Sequence, residues 1–64
     1  SLSIKLANRL KTLRGKQTQG EFARKLGISR ATLNRLESAT QNTTLKTLEQ
    51  LTKSLKCSIA DLFK

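Results

Sequence analysis

Leucine recurs along this chain at three- and four-residue spacings, with polar residues filling the positions between. Leu6, Leu10 and Leu13, with Ala7 beside them, form one apolar stripe. That stripe predicts a first helix beginning near Ser1 or Ser3 and ending around Arg14 and Gly15. Phe22 and Leu26 then stand four apart, Leu33 and Leu36 three apart, and Ile28 lies between the pairs. Two short amphipathic helices facing inward, with Ile28 plugging the turn, follow from that spacing. Thr18 with Glu21 reads as a capping box for the second helix, and Ser29 as the N-cap of a third spanning Arg30 to Glu37. Ala23 stands where these helices approach most closely and must be small, while Gly27 stands where a helix ends in a left-handed residue.

A fourth helix is predicted to start after Thr43 or Thr44, with Leu45, Leu48, Leu51 and Leu55 inward and Lys46, Glu49, Gln50 and Lys53 outward. Ser58 and Asp61 make a second capping box, opening a short last helix that holds Ile59, Leu62 and Phe63. Proline is absent, β-branched residues are scattered, and no convincing strand is present, so the chain reads as all-α. The polar stretch 38–44 is too short to divide domains, which leaves one domain over residues 1–64. No internal repeat is visible.

Residues 19–38, QGEFARKLGISRATLNRLES, thus join two short helices through Gly27, and the second opens on Ser29 followed by arginine. This is the outline of a helix-turn-helix, which makes DNA the first partner to consider. With Thr18 and Gln19, Ala23, the run LGIS at residues 26–29 and the downstream TLKTLEQLTKSL, nearly the whole chain resembles the phage repressor and Cro type (XRE-like) of helix-turn-helix domain. The resemblance implies a compact five-helix bundle of the lambda-repressor-like type, its helix-turn-helix formed by the second and third helices.

Charge agrees with that partner without identifying it. The net charge of +9 suits a polyanion, an acidic protein or a lipid surface. Its distribution narrows the choice: over residues 1–35 nine cations face Glu21 alone, leaving +8, whereas four lysines against three acids leave +1 in the rest. A solvated, solubilising surface is the bland account of many of these lysines. Sixty-four residues sit near the lower limit for a core without metal or disulfide. Cys57 is the single cysteine and histidine is absent, so no disulfide framework and no zinc cluster is expected. Cys57 reads as buried packing, the alternative being a redox-sensing thiol beside Lys56. No apolar run is long enough for a membrane span or a signal peptide, and a reducing cytoplasm fits.

A helix in the major groove reads base edges with its exposed N-terminal face. With Leu33 and Leu36 inward, Arg30, Ala31, Asn34 and Arg35 project outward, and the family pattern places base-reading residues among these positions. Arginine matches the two acceptors of guanine, asparagine pairs with adenine, and alanine touches a thymine methyl. Arg30 opposes its helix dipole, which suggests a reason outside the fold; an ordinary surface ion pair is the plain account of Arg35. Phosphate candidates begin with Gln19 at the second helix's start, used as a backbone clamp in the family, assisted by Thr18. Thr32 either donates to a phosphate or serves its own first turn. Thr43 and Thr44 open the fourth helix in the same manner as Gln19 opens the second, and in the family the preceding loop also touches the backbone; here that loop lacks a cation, so Gln41, Asn42 and Thr43 offer phosphates only neutral hydrogen bonds. The phosphate grip is therefore expected to shift towards Lys11, Arg14 and Lys16 on and after the first helix. Glu37 resembles a family acid paired with a base on the first helix; Lys11 is the nearest match, with Arg14 the alternative because residues 15–19 run one longer than usual. Lys56 stands where the family usually ends its fourth helix in glycine, at a cost of about 1 kcal/mol if that position is left-handed.

The leading expectation is a transcriptional regulator, in the first instance a repressor, that binds a palindromic operator as a homodimer, because one reading helix spans few base pairs. Ile59, Leu62 and Phe63 are the interface candidates, although so small a core needs at least one of them itself. Antitoxins and restriction-modification controllers share this domain type, and for them the chief partner is a protein. A basic module that binds an acidic protein or membrane without reading sequence is the reading from another class. With no histidine, and with Glu21, Glu37 and Asp61 assigned to caps or pairing, no nucleophile, base or metal set remains for an enzyme, and no cofactor is implied. The chain begins with serine and ends on the last expected helix, so a fragment of a longer regulator stays open.

Overall fold

A serine or threonine stands before every helix in the computed structural model, which describes residues 1–40 and 43–64. The helices are α1 (Leu2–Arg14), α2 (Gln19–Leu26), α3 (Arg30–Glu37), α4 (Leu45–Leu55) and α5 (Ile59–Leu62). Their N-caps are Ser1, Thr18, Ser29, Thr44 and Ser58, and each hydroxyl accepts a main-chain N–H three residues on. An acceptor at that place satisfies a donor that the helix itself leaves without a partner. Both capping boxes are complete, Thr18 with Glu21 and Ser58 with Asp61. Hydrogen bonds from Ser58 and the nearby Lys64 ammonium, the latter the larger influence, hold the Asp61 carboxyl down at about 2 from its ordinary 3.8.

Three of the helix ends share one geometry. Gly27, Ala39 and Lys56 each take a left-handed conformation, with φ of 75°, 56° and 54°. The residue after each donates its N–H five residues back: Ile28 to Ala23, Thr40 to Arg35 and Cys57 to Thr52. This is the Schellman arrangement, which occupies carbonyls that the helix leaves open. Only Gly27 takes it without steric penalty, since the Cβ of Ala39 or Lys56 crowds the following carbonyl. At Gly27 space is short as well as angle: an added Cβ would lie 2.5 Å from Gln50 Nε2.

The core gathers the inward stripes. Leu10, Leu26, Leu33, Leu51 and Leu62 have no exposed surface, and Phe22, Ala23, Leu6 and Leu36 have almost none. Each large side chain among them contributes roughly 1.5–3 kcal/mol by leaving water. Leu13, Ile28, Leu48, Leu55, Cys57 and Phe63 pack around this cluster while half-buried. α3 lies against both α1 and α2, α4 against α2, and α5 against α1 and α4.

Three expectations are corrected. Leu45 is 75% exposed, because at the first turn of α4 it lies beyond the elements that cover Leu48 and Leu51. Gln50, expected to face solvent, is half-buried and donates from Nε2 to the Leu26 carbonyl at 3.0 Å. Ser54 donates to the same oxygen at 2.8 Å, so α4 caps the C-terminus of α2 from outside. Leu62 belongs to the core: it is fully buried within the single chain and offers a second copy no surface.

Candidate nucleic-acid interface

The short α3 divides cleanly. Leu33, Leu36 and Glu37 are buried, whereas Arg30, Ala31, Asn34 and Arg35 are exposed together on the other side. Helical periodicity produces that division, since residues three and four apart share a face. Arg30 and Ala31 occupy the first turn, the end that base edges can meet. Thr32 is half-buried, its N–H is received by the Ser29 hydroxyl at 3.0 Å, and its own oxygen accepts from that hydroxyl at 2.8 Å.

What holds α3 at its angle is a buried acid. Glu37 is 5% exposed and both of its carboxylate oxygens are occupied. Oε2 receives Arg14 Nε at 2.9 Å in an ion pair, and Oε1 receives Gln19 Nε2 at 3.1 Å. Burial without these partners would cost several kcal/mol. Among the described residues no buried side-chain polar atom lacks a partner. The partner on α1 is thus Arg14, not Lys11, in keeping with the longer segment that follows α1.

The same network alters the phosphate candidates. Arg14 also donates from Nη1 to the Gln17 carbonyl at 3.0 Å, so its guanidinium braces the segment between α1 and α2 rather than reaching outward. Gln19 spends its amide on Glu37 and on Asn34 Oδ1, the latter at 3.4 Å. Its side chain is turned inward, against the expectation of a side-chain clamp; the main-chain N–H groups that open α2 still point out of that helix. Thr18 exchanges hydrogen bonds with Glu21, donating its N–H at 2.9 Å and accepting at 3.0 Å, which leaves its hydroxyl hydrogen to offer. That first bond, above all, keeps the exposed Glu21 carboxyl below its ordinary range. Thr44 accepts from the Thr47 N–H and donates to the Thr47 hydroxyl, both at 3.1 Å, so capping occupies it. Lys11 and Lys16 remain exposed, and Asn42 lies outside the described residues.

Thr43 is half-buried and lines a groove of about 280 Å³ with Leu2, Ser3, Leu6, Leu48 and Phe63. Of the interface candidates, Ile59 is 48% exposed and Phe63 is half-buried at this groove. Leu2, Ile4 and Leu45 are further exposed apolar side chains. Cys57 is half-buried against the core. Among the described residues no helix is long and apolar enough to cross a membrane, and no group of three or more Cys, Asp or Glu could hold a metal.

The links from Gln19 to Glu37 and Asn34 span 18 and 15 residues, and no spacing rule signals them. Only the choice of an amide at the start of α2 opposite a buried acid could have suggested the first.

The helix-turn-helix family model matches residues 10–62. Antitoxin HipB of Escherichia coli K12 is 41% identical over 56 residues, which is 84% of this chain and 64% of the relative. Antitoxin HipB of Escherichia coli O6:H1 is 39% identical over 56 residues, covering 84% and 60%. Plasmid copy control protein CopR of Streptococcus agalactiae is 41% identical over 44 residues, covering 69% and 48%. The chain therefore spans between about half and two-thirds of the curated relatives it matches. No solved structure matches it significantly. With a complete helix-turn-helix in α2 and α3, an exposed polar face on α3 and a family match over most of its length, the chain belongs to the helix-turn-helix family of DNA-binding regulators, in its phage-repressor and Cro (XRE-like) form.

Proposed function

We propose that the chain is a sequence-specific binder of double-stranded DNA that represses transcription in the cytoplasm by occupying a palindromic operator as a homodimer. The exposed face of α3 carries the reading: Arg30, Ala31, Asn34 and Arg35 stand together on a helix whose other side is locked by Leu33, Leu36 and Glu37. α3 enters the major groove, where Arg30 and Arg35 match guanine acceptors and Ala31 meets a thymine methyl. The main-chain N–H groups at the start of α2, with Thr18, Lys11 and Lys16, take the flanking phosphates, and Thr32 can add its hydroxyl. Ile59 and Phe63 contribute the dimer contact that sets two reading helices one DNA turn apart. A bound dimer then excludes polymerase without any chemical step, so no catalytic group and no cofactor is needed.

The two antitoxin relatives favour a second reading in which DNA binding is retained and a protein is the chief partner. The exposed Leu2, Ile4 and Leu45 would supply apolar area for such a contact.

Selection of duplexes from random DNA, followed by titration of the winner and a scrambled duplex at several salt concentrations, tests the proposal. The winner should bind more tightly at every salt concentration, with both affinities falling as salt rises. Arg35→Ala should lose roughly 1–3 kcal/mol of preference at particular bases. Equal binding of winner and scrambled duplexes would refute sequence reading.

A further inference from the structure

The chain passes from α1 to α2 through a tight turn with a lysine at its tip. Gly15 has φ 58° and ψ −122°, and the Gln17 N–H donates to the Arg14 carbonyl at 3.0 Å. Arg14, Gly15, Lys16 and Gln17 therefore fill the four positions of a type II′ β-turn. Glycine is needed there for its angle and not for space, since an added Cβ would meet only the Thr12 carbonyl oxygen, at 4.0 Å. Side chains close the same turn again: Gln17 Nε2 donates to the Arg14 carbonyl at 3.3 Å, and Arg14 Nη1 to the Gln17 carbonyl at 3.0 Å. The guanidinium also holds Glu37 at 2.9 Å, which fastens the turn to the acid beneath the exposed face of α3. The Lys16 side chain is exposed and makes no hydrogen bond or ion pair among the described residues. No acid occurs in residues 1–20 to neutralise it.

Resting on the DNA-binding proposal above, we infer that this turn is a preformed phosphate hook. Gly15, Arg14 and Gln17 are its positioning residues, and they hold Lys16 against a backbone phosphate flanking the base pairs that α3 reads. The connection from α1 to α2 runs one residue longer than the family pattern, and the loop before α4, a backbone contact in the family, carries no cation. The hook supplies on one side of the helix-turn-helix the charge missing on the other. Arg14, expected to take a phosphate itself, acts through Lys16 instead. Order before binding matters because a lysine on a loose loop must surrender main-chain freedom when it meets DNA, whereas this one has already surrendered it on folding.

The test titrates the full chain with the duplex selected from random DNA and with its scrambled counterpart at several salt concentrations, and adds phosphate-ethylation interference on the selected duplex. Lys16→Ala should make the fall of log affinity with log salt shallower by about 0.9 on both duplexes, the value of one phosphate contact. It should also abolish interference at one flanking phosphate, and Lys16→Arg should restore both. Lys53→Ala removes the same charge from an exposed position on α4 and should leave slope and interference as in the wild type. Gly15→Ala and Gln17→Ala keep every charge, yet should lower affinity about threefold at fixed salt and weaken interference at that same phosphate. Gln17→Ala puts no Cβ at the left-handed position, so it decides the matter if Gly15→Ala fails to fold. A residue that only supports the fold would lower the melting temperature and leave the interference pattern alone. A wild-type slope or interference pattern in Lys16→Ala overturns the inference, as does wild-type affinity and interference in Gln17→Ala. Failure of the wild type to bind either duplex would instead remove the DNA-binding proposal, and the hook with it.

Discussion

Replacing Lys56 with glycine should stabilise the protein, and the size of the gain follows from one angle. Lys56 ends α4 at φ 54° and ψ 47°, a conformation that places its Cβ against the next carbonyl at a cost of roughly 1–2 kcal/mol. Glycine removes that cost but returns roughly 0.5–1 kcal/mol as extra freedom in the unfolded chain. The net gain lies between about 0 and 1.5 kcal/mol, with a midpoint of about 0.75. Both bonds at this end of α4 come from main-chain N–H groups, those of Lys56 and Cys57 to the Thr52 carbonyl, and glycine keeps them. The Lys56 side chain is exposed and makes no hydrogen bond or ion pair among the described residues, so little else is lost. Lys56→Ala isolates the effect: it removes the amine but keeps the Cβ, and should fall within about 0.5 kcal/mol of the wild type. Urea unfolding of the three proteins followed by circular dichroism measures the difference, and the melting temperature should rise by about 4–8 °C per kcal/mol in a domain this small. If Lys56→Gly and Lys56→Ala proved equally stable, the left-handed strain assigned to this turn would be wrong.

Other perturbations probe the remaining joints. Glu37→Ala leaves Arg14 unpaired with a quarter of its side chain exposed; the expected loss is about 3 kcal/mol, read by the same unfolding assay, and a loss under about 1 kcal/mol would contradict a structural role for the pair. Gly27→Ala drives a Cβ to 2.5 Å from Gln50 Nε2 in a left-handed turn and should cost about 2 kcal/mol. In the Gln50→Ala background that cost should shrink, and full additivity would deny the clash. The Asp61 carboxyl titrates at about 2, below its ordinary 3.8, so its contribution is complete above about pH 4 and disappears as pH falls towards 2. Asp61→Asn should flatten stability across that window, and an Asp61 carboxyl resonance titrating near 3.8 would refute the cap.

Local features were legible in the sequence and distant ones were not. Thr18 with Glu21, Ser29, and Ser58 with Asp61 announce helix starts because donor and acceptor are three residues apart. Leu33 and Leu36 likewise place Arg30, Ala31, Asn34 and Arg35 on the open side of α3 by periodicity alone. Leu45 misled because periodicity says which way a side chain points and not whether anything lies opposite. Ala39 gave no sign of its left-handed turn, being neither glycine nor asparagine. The choice between Lys11 and Arg14 turned on one residue in the connection after α1, which only the packed helices decide. Gln19 was assigned to phosphate from its place at a helix start, and its inward turn depends on an acid 18 residues away.

The Leu26 carbonyl, held by Gln50 and Ser54, bears on how this domain can be re-engineered. A segment cut out at residues 18–38 would carry all of α2 and α3 yet leave that oxygen without its two donors, at the point where α2 must stop. The self-sufficient unit is thus the hairpin together with α4 and the end of α1 that supplies Arg14 to the buried Glu37. Grafting the hairpin onto a foreign scaffold requires an amide and a hydroxyl four residues apart on the host.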